Sequence, residues 1–375
     1  MFYRFLLVGL FVLLALHEFR SYVNLFADLE LKHVWKTNLD QSFYSHVNSF
    51  NETHTNLKDS SNQSQYIQKG NPVSHIAFLK IHKAASTTVG NIFLRYGYEN
   101  HLVFAVPRGH GGGGPSLTPR YFLPPPRNKR YDIFCAHARY NREEFNRVLP
   151  NDATYIGIVR EPFSQFRSLI RYFRPKSVLD IPGKNPVLEY LSHNEKYMKF
   201  GGPIDITYNK MAYEFGFPEE LFWNNDQNRI QSYLRKLSKE MDIVLVVEYL
   251  DESIVLMRRL LNWDLRHALY GKLHVNKRND SRLQFGSKVE KLYKSWAHLD
   301  YALYGFFLRK LKKNLKRQLP DFYDELAYFR RTRIKIDEFC SSTSSDYHTD
   351  TEMSFGGSKW NKPFVITKNN CENYT

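Results

Sequence analysis

The chain has 375 residues, 42% of them hydrophobic and 24% charged, which excludes a wholly disordered protein and leaves room for one large domain or two small ones. The formal net charge of +15 is spread in short groups; it favours anionic ligands or surfaces without choosing between nucleotide, membrane and nucleic acid. Three cysteines without a CxxC pair, Cys135, Cys340 and Cys371, exclude a disulfide-built scaffold, argue against a structural zinc site and leave room for one disulfide.

In chain order, Met1–Arg4 precedes the apolar run FLLVGLFVLLAL, Phe5 to Leu16. The run falls short of the roughly 20 residues that span a bilayer comfortably, and no small-x-small cleavage site follows it directly. Residues 5–22 are therefore expected to be an uncleaved signal anchor, with residues 1–4 cytoplasmic and the rest lumenal. Sequons at Asn51, Asn62 and Asn373 agree with a lumenal chain. Residues 23–72, rich in Asn, Ser, Thr and Gln toward their end, read as a stem, and the folded domain is expected over 73–340.

Within that domain strands and helices alternate. The pattern predicts strands over His75–Ile81, His101–Pro107, the start of Tyr131–Tyr140, Ala153–Arg160 and Ile243–Val247. Between them it predicts helices over Ser86–Glu99, from Arg142, over Phe163–Phe173 with Pro162 in the first turn, over NDQNRIQSYLRKLSKE and over Leu250–Leu261. Lys288–Leu319 reads as one long helix or a broken pair whose aromatics are core, and the tail 341–375 as polar and loose. The alternation predicts an α/β fold with a mainly parallel central sheet flanked by helices, whose ligands bind at the carboxyl ends of the strands. Lys83, His137 and Arg160 all fall at such ends. RKLKKNLKR, Arg309 to Arg317, carries six basic residues in nine and reads as the wet face of a helix, with a membrane or polyanion patch as the alternatives.

The turn LKIHKAASTTVG between the first strand and helix has the parts of a phosphate cradle: exposed helix N–H groups, Lys83, and the hydroxyls of Ser86, Thr87 and Thr88. It lacks the Walker glycines, and simple helix capping by the hydroxyls is the competing explanation. HGGGG, His110 to Gly114, has no Lys-Ser/Thr after it and reads as a loop.

FLKIHKAASTTVGNIFLRYG resembles the 5'-phosphosulfate loop of Golgi sulfotransferases, most closely that of the galactose 3-O-sulfotransferase family. IGIVREPFSQFRSLIRYF, CAHARY and VVEYLDESIVLMRRLLNWDLRHALYGKLH are similar to three further family segments, in the same order. The resemblance implies a P-loop-like sulfotransferase fold and the donor 3'-phosphoadenosine 5'-phosphosulfate. It implies that Lys80, Lys83, Ala84, Ser86, Thr87 and Thr88 surround the 5'-phosphosulfate, and that Arg160 and Ser168 hold the 3'-phosphate. The family pattern commonly has Thr at the place of Ala84, and Asn at that of His274, so His274 is given no catalytic role.

The implied reaction needs a proton acceptor, for which imidazole is suited. His137 is the first candidate base and His82 the second, with Lys83 neutralising charge on the leaving phosphate. Arg139 and Glu248 are candidate acceptor-binding residues. No metal ligand motif is present and no metal is expected. The implied partners are a galactose-terminated glycolipid or glycoprotein acceptor and the Golgi membrane, in a single-pass type II arrangement, with no nucleic acid and a homodimer left open. A glycan sulfotransferase of other regiospecificity, or an inactive lumenal carbohydrate-binding protein, is the alternative.

Overall fold

A computed structural model describes residues 70–108, 117, 121–173, 175–198, 205–271, 280–342 and 351–374. Residues 61–272 and 282–375 group as one unit, and the description below is of that unit. The anchor, the stem up to residue 69 with the sequons at Asn51 and Asn62, the HGGGG loop and His274 lie outside the described residues. Among the described residues no helix is long and apolar enough to cross a membrane.

The centre is a four-stranded, wholly parallel sheet: β1 (Ile76–Phe78), β2 (Ile133–Phe134), β3 (Thr154–Val159) and β4 (Ile243–Val246), in spatial order β2-β1-β3-β4. Ile76 lies opposite Ile133 on one side and Thr154 on the other, and Ile156 lies opposite Ile243. The strands are continuous apolar runs because helices cover both faces, the usual pattern of a parallel sheet. Ile76, Phe78, Ile133, Ile156, Ile158 and Leu245 are fully buried.

The connecting helices follow the predicted order. They include α1 (Ser86–Glu99), α2 (Arg142–Val148), α3 (Pro162–Phe173), α4 (Lys210–Glu214), α5 (Gln227–Glu240), α6 (Leu250–Leu260), α7 (Ser287–Trp296), α8 (His298–Leu315) and α9 (Pro320–Ser341), with further short helical pieces between. α1 buries Val89, Ile92 and Phe93, as its periodicity requires. α3 buries Phe163, Phe166 and Ile170 in a satellite core with Val187, Tyr190 and Tyr293, which fixes its remaining face toward the strand ends.

Three expectations are resolved or corrected. The strand predicted over His101–Pro107 is reduced to a single parallel bridge from Phe104 to Ile133 and an antiparallel one from Pro107 to Phe122; β2 is itself only two residues long, so there is little edge to extend. The Lys288–Leu319 segment is a broken pair, α7 and α8, interrupted at Ala297, and its Tyr293, Leu303 and Phe307 are core. The expected loose tail instead contains an antiparallel hairpin of β5 (Glu352–Phe355) and β6 (Phe364–Thr367), tied to α9 by a Cys340–Cys371 disulfide. Asn373 falls in the 3-10 turn that follows.

Candidate active site

All four strand ends deliver chain to one edge of the sheet. After β1 comes the turn His82–Ala85, after β2 the segment Cys135–Arg139, after β3 Arg160 and Glu161, and after β4 Glu248.

The β1–α1 turn achieves its shape without glycine. Lys83 (φ 56°) and Ala85 (φ 51°) both stand in the left-handed region, at a cost of about 1–3 kcal/mol each. Hydrogen bonds from three other elements hold it there. Arg160 Nη1 donates to the Lys83 carbonyl (2.9 Å) and Gln165 Nε2 to the His82 carbonyl (2.7 Å). Glu214 Oε2 accepts from the His82 N–H (2.9 Å). Within the turn, the Ser86 hydroxyl donates to the Ile81 carbonyl (2.6 Å). Ser86 is therefore spent on the turn, and no side chain caps α1. With no acidic residue in its first turn, α1 presents the partial positive charge of an uncapped helix start. Thr87 and Thr88 are half-buried in that turn, Ala84 is buried beneath it, and the Lys83 ammonium lies 4.1 Å over the Tyr172 ring.

The start of α3 is built the opposite way. Glu161 accepts from the N–H groups of Phe163 (3.0 Å) and Ser164 (2.7 Å), and its own N–H donates to Glu248 Oε1 (2.9 Å). A carboxylate thus closes this helix tip. Glu248, a candidate acceptor residue, sits against Glu161 and Arg160; burial pushes its carboxyl pKa up, against the Glu161 hydrogen bond and the Arg160 charge. Burial pushes the Arg160 guanidinium down, with Glu248 and Glu161 opposing. An anion held by Arg160 and Ser168 must lie along the side of α3, since its tip is filled.

The two candidate bases are neighbours. The imidazoles of His82 and His137 stack with centroids 3.7 Å apart and planes 20° from parallel. His137 Nδ1 donates to the Lys80 carbonyl (2.7 Å), which leaves its Nε2 as the lone-pair nitrogen. Burial, then the His82 and Lys80 charges, holds the His137 pKa well below the usual histidine range, so this ring is neutral near pH 7. His82 Nδ1 bonds Glu214 Oε1, and Lys210 Nζ lies 3.8 Å from the same oxygen. Burial alone would raise the Glu214 carboxyl, but His82 and Lys210 outweigh it and bring it down to about 2. The carboxylate is ionised, so His82 Nδ1 donates to it.

Glu214, Gln165 and Lys210 were not legible as site residues, because they lie far along the chain from the turn they hold. Glu214 is placed by α4 and by the sharp turn after it. Tyr140 N–H donates to the Glu214 carbonyl (2.8 Å), and Gly216 has φ +74° with its missing Cβ 2.1 Å from the Tyr140 carbonyl, so only glycine fits. Donor atoms of His82, His137 and Glu214 lie within 4.8 Å of one another, a grouping that the fold creates and the sequence does not display. Both Nδ1 atoms are already committed to oxygen acceptors, that of His82 to Glu214 and that of His137 to the Lys80 carbonyl, and the two rings are joined by stacking.

Arg139 turns away from the imidazoles. It donates to the Phe217 carbonyl (2.9 Å), pairs with Glu219 (3.5 Å) and lies 5.0 Å over Tyr213. The structure thus brings Lys80, His82, Lys83, His137 and Arg160 together, with Arg139 braced against the Tyr213–Glu219 segment at their border.

The model of one protein family, described as galactose-3-O-sulfotransferase, matches residues 19–353. Galactose-3-O-sulfotransferase 3 of Mus musculus is 32% identical over 242 residues, covering 62% of this chain and 55% of its own. Galactose-3-O-sulfotransferase 2 of Homo sapiens is 30% identical over 293 residues, 76% and 72% of the two chains. Galactosylceramide sulfotransferase of Homo sapiens is 31% identical over 243 residues, 63% and 56%. The matched stretch thus spans about half the length of the first of these relatives.

Proposed function

Because the chain belongs to the galactose-3-O-sulfotransferase family, we propose that it transfers sulfate from 3'-phosphoadenosine 5'-phosphosulfate to the 3-hydroxyl of galactose in glycolipid or glycoprotein glycans. The proposal includes a sulfotransferase version of the P-loop-like fold, in a type II Golgi membrane protein with a lumenal domain. The observation that carries it is the 2.9 Å bond from Arg160 to the Lys83 carbonyl, which makes the cationic turn and the β3 end parts of one site.

The residues present suit such a nucleotide. The uncapped α1 tip and Lys83 receive the phosphosulfate end; Arg160 and Ser168 receive the 3'-phosphate, alongside α3. Bound there, the donor supplies an electrophilic sulfuryl group on a good phosphate leaving group. The chain's own tasks are to hold positive charge at the leaving oxygen, which falls to Lys83 and the α1 N–H groups, and to take the proton of the acceptor hydroxyl. His137 Nε2 serves as the base in the family-based reading. His82 is the second reading, favoured by the ionised Glu214 on its Nδ1, which supports the positive charge the ring gains on accepting a proton. In either case the other ring, stacked at 3.7 Å, fixes the plane of the base. Of the two candidate acceptor-binding residues, Arg139 is braced at the border of the site, whereas Glu248 accepts from the Glu161 N–H beside Arg160, which favours a role in holding Arg160 over contact with the acceptor.

The test is transfer of radiolabelled sulfate from the donor to a panel of terminal-galactose glycolipids and glycoprotein glycans, with linkage analysis of the product. A 3-O-sulfated galactose is expected. Sulfation at another hydroxyl corrects the regiochemistry, and a folded, donor-binding protein inactive on every acceptor points to a carbohydrate-binding role.

A further inference from the structure

We propose that Arg167 and Arg171, on the side of α3, form a binding face for a phosphate monoester dianion and set the protein's preference for a nucleotide carrying a 3'-phosphate. The inference rests on the donor reading above and names residues that reading does not use.

At 3.6 residues per turn, Ser164, Arg167, Ser168 and Arg171 fall within an arc of roughly 100° on α3. All four are half-buried, while Phe163, Phe166 and Ile170 on the other side are in the core. The arc is therefore a polar strip that is neither sealed into the core nor fully in water. Its two arginines are spaced i, i+4, so their side chains are neighbours.

Charge is the informative feature. Among the described residues neither Arg167 nor Arg171 pairs with a carboxylate. Among the described residues both guanidiniums share one ring contact, at 5.9 Å and 4.9 Å over Phe285. Arg167 Nε is buried without an acceptor. Burial and the neighbouring Arg167 push the Arg171 guanidinium down, and Arg167 acts the same way on Arg160. Three gathered guanidiniums repel one another; Glu161 and Glu248 lie at Arg160, leaving the other two uncompensated. A half-buried like-charge pair is unfavourable by itself and becomes favourable when an anion with several acceptor oxygens lies between its members.

The strip is also correctly placed. Glu161 fills the tip of α3, so an anion near Arg160 must lie along the helix side, where Ser168 is flanked by Arg167 and Arg171. Tyr172, which carries the Lys83 ammonium on its ring, adjoins Arg171 in sequence, so the strip reaches the phosphosulfate turn. On the donor reading, the strip takes the 3'-phosphate while the α1 tip takes the phosphosulfate of the same nucleotide.

The experiment compares binding of adenosine 3',5'-bisphosphate and adenosine 5'-monophosphate to the wild type, Arg167→Gln, Arg171→Gln and the Arg→Lys versions, by titration calorimetry. The wild type is expected to favour the bisphosphate at least about tenfold. Each Gln variant should lose about tenfold to hundredfold in bisphosphate affinity, with the monophosphate unchanged within about twofold; Lys should restore part of the loss. Melting of the ligand-free Gln variants should not fall, because each removes an uncompensated charge. Gln variants that keep the preference overturn this inference alone. Equal loss of both nucleotides, with a lowered melting point, assigns the arginines to the fold and also overturns it. A wild type that binds neither nucleotide defeats the donor reading and this inference with it.

Discussion

Arg160 Nη1 lies 2.9 Å from the carbonyl oxygen of Lys83, 77 residues earlier in the chain. The same bond that completes the strained turn therefore positions the guanidinium of the next strand end. On the proposed donor reading, loss of Arg160 should remove a nucleotide-binding cation and loosen the turn at once, whereas Lys at this place should restore the charge without the planar fork.

The stacked imidazoles give separable outcomes. Replacing the base, His137 in the family-based reading, by Ala should lower kcat by about 10²- to 10⁴-fold, with nucleotide affinity nearly unchanged. The non-base histidine should cost much less. If His82→Ala abolishes turnover while His137→Ala keeps most of it, the base is His82. Steady-state kinetics and nucleotide titration of both variants decide between them.

Glu214 should give the folded protein part of its acid sensitivity. Its carboxyl is held at about 2 against an ordinary 4.5, so the native state favours the ionised form. The stability from this group is fully present above about pH 4.5 and is lost as pH falls toward 2. Glu214→Gln should be destabilised near neutral pH and should lose that part of the pH dependence. Thermal melts of both proteins between pH 3 and 7 measure it, and an unchanged slope would contradict the depressed carboxyl.

The Cys340–Cys371 crosslink joins α9 to the turn after the hairpin across 31 residues. Replacing both cysteines by Ser should cost about 2–5 kcal/mol and release residues 351–374 first, seen as early hydrogen exchange there. Cys135, whose thiol burial raises to about 11, should remain unreactive toward alkylating agents in the folded protein at pH 8.

The sheet and its helices were legible because apolar runs and 3.6-residue periodicity are local signals: α1 and α3 follow the sequence reading nearly residue for residue. Lys83, His137 and Arg160 were legible as strand-end residues. Glu214 and Gln165 were not, since each meets the turn only through tertiary folding, across 132 and 83 residues. The hydroxyl of Ser86 shows the reverse limit: its residue type suggests a phosphate donor or helix cap, yet its bond to the Ile81 carbonyl gives it to the backbone. The C-terminal hairpin was missed because polar alternation in a short segment carries little weight, and three cysteines do not state which two pair.

The contrast between the helix starts gives the site a direction. α1 begins bare, whereas α3 begins under the Glu161 carboxylate. The two helix starts are therefore unequal berths: an anion can dock end-on at α1 but only flank-on at α3, a difference set by a single acidic side chain that need never touch the reacting atoms.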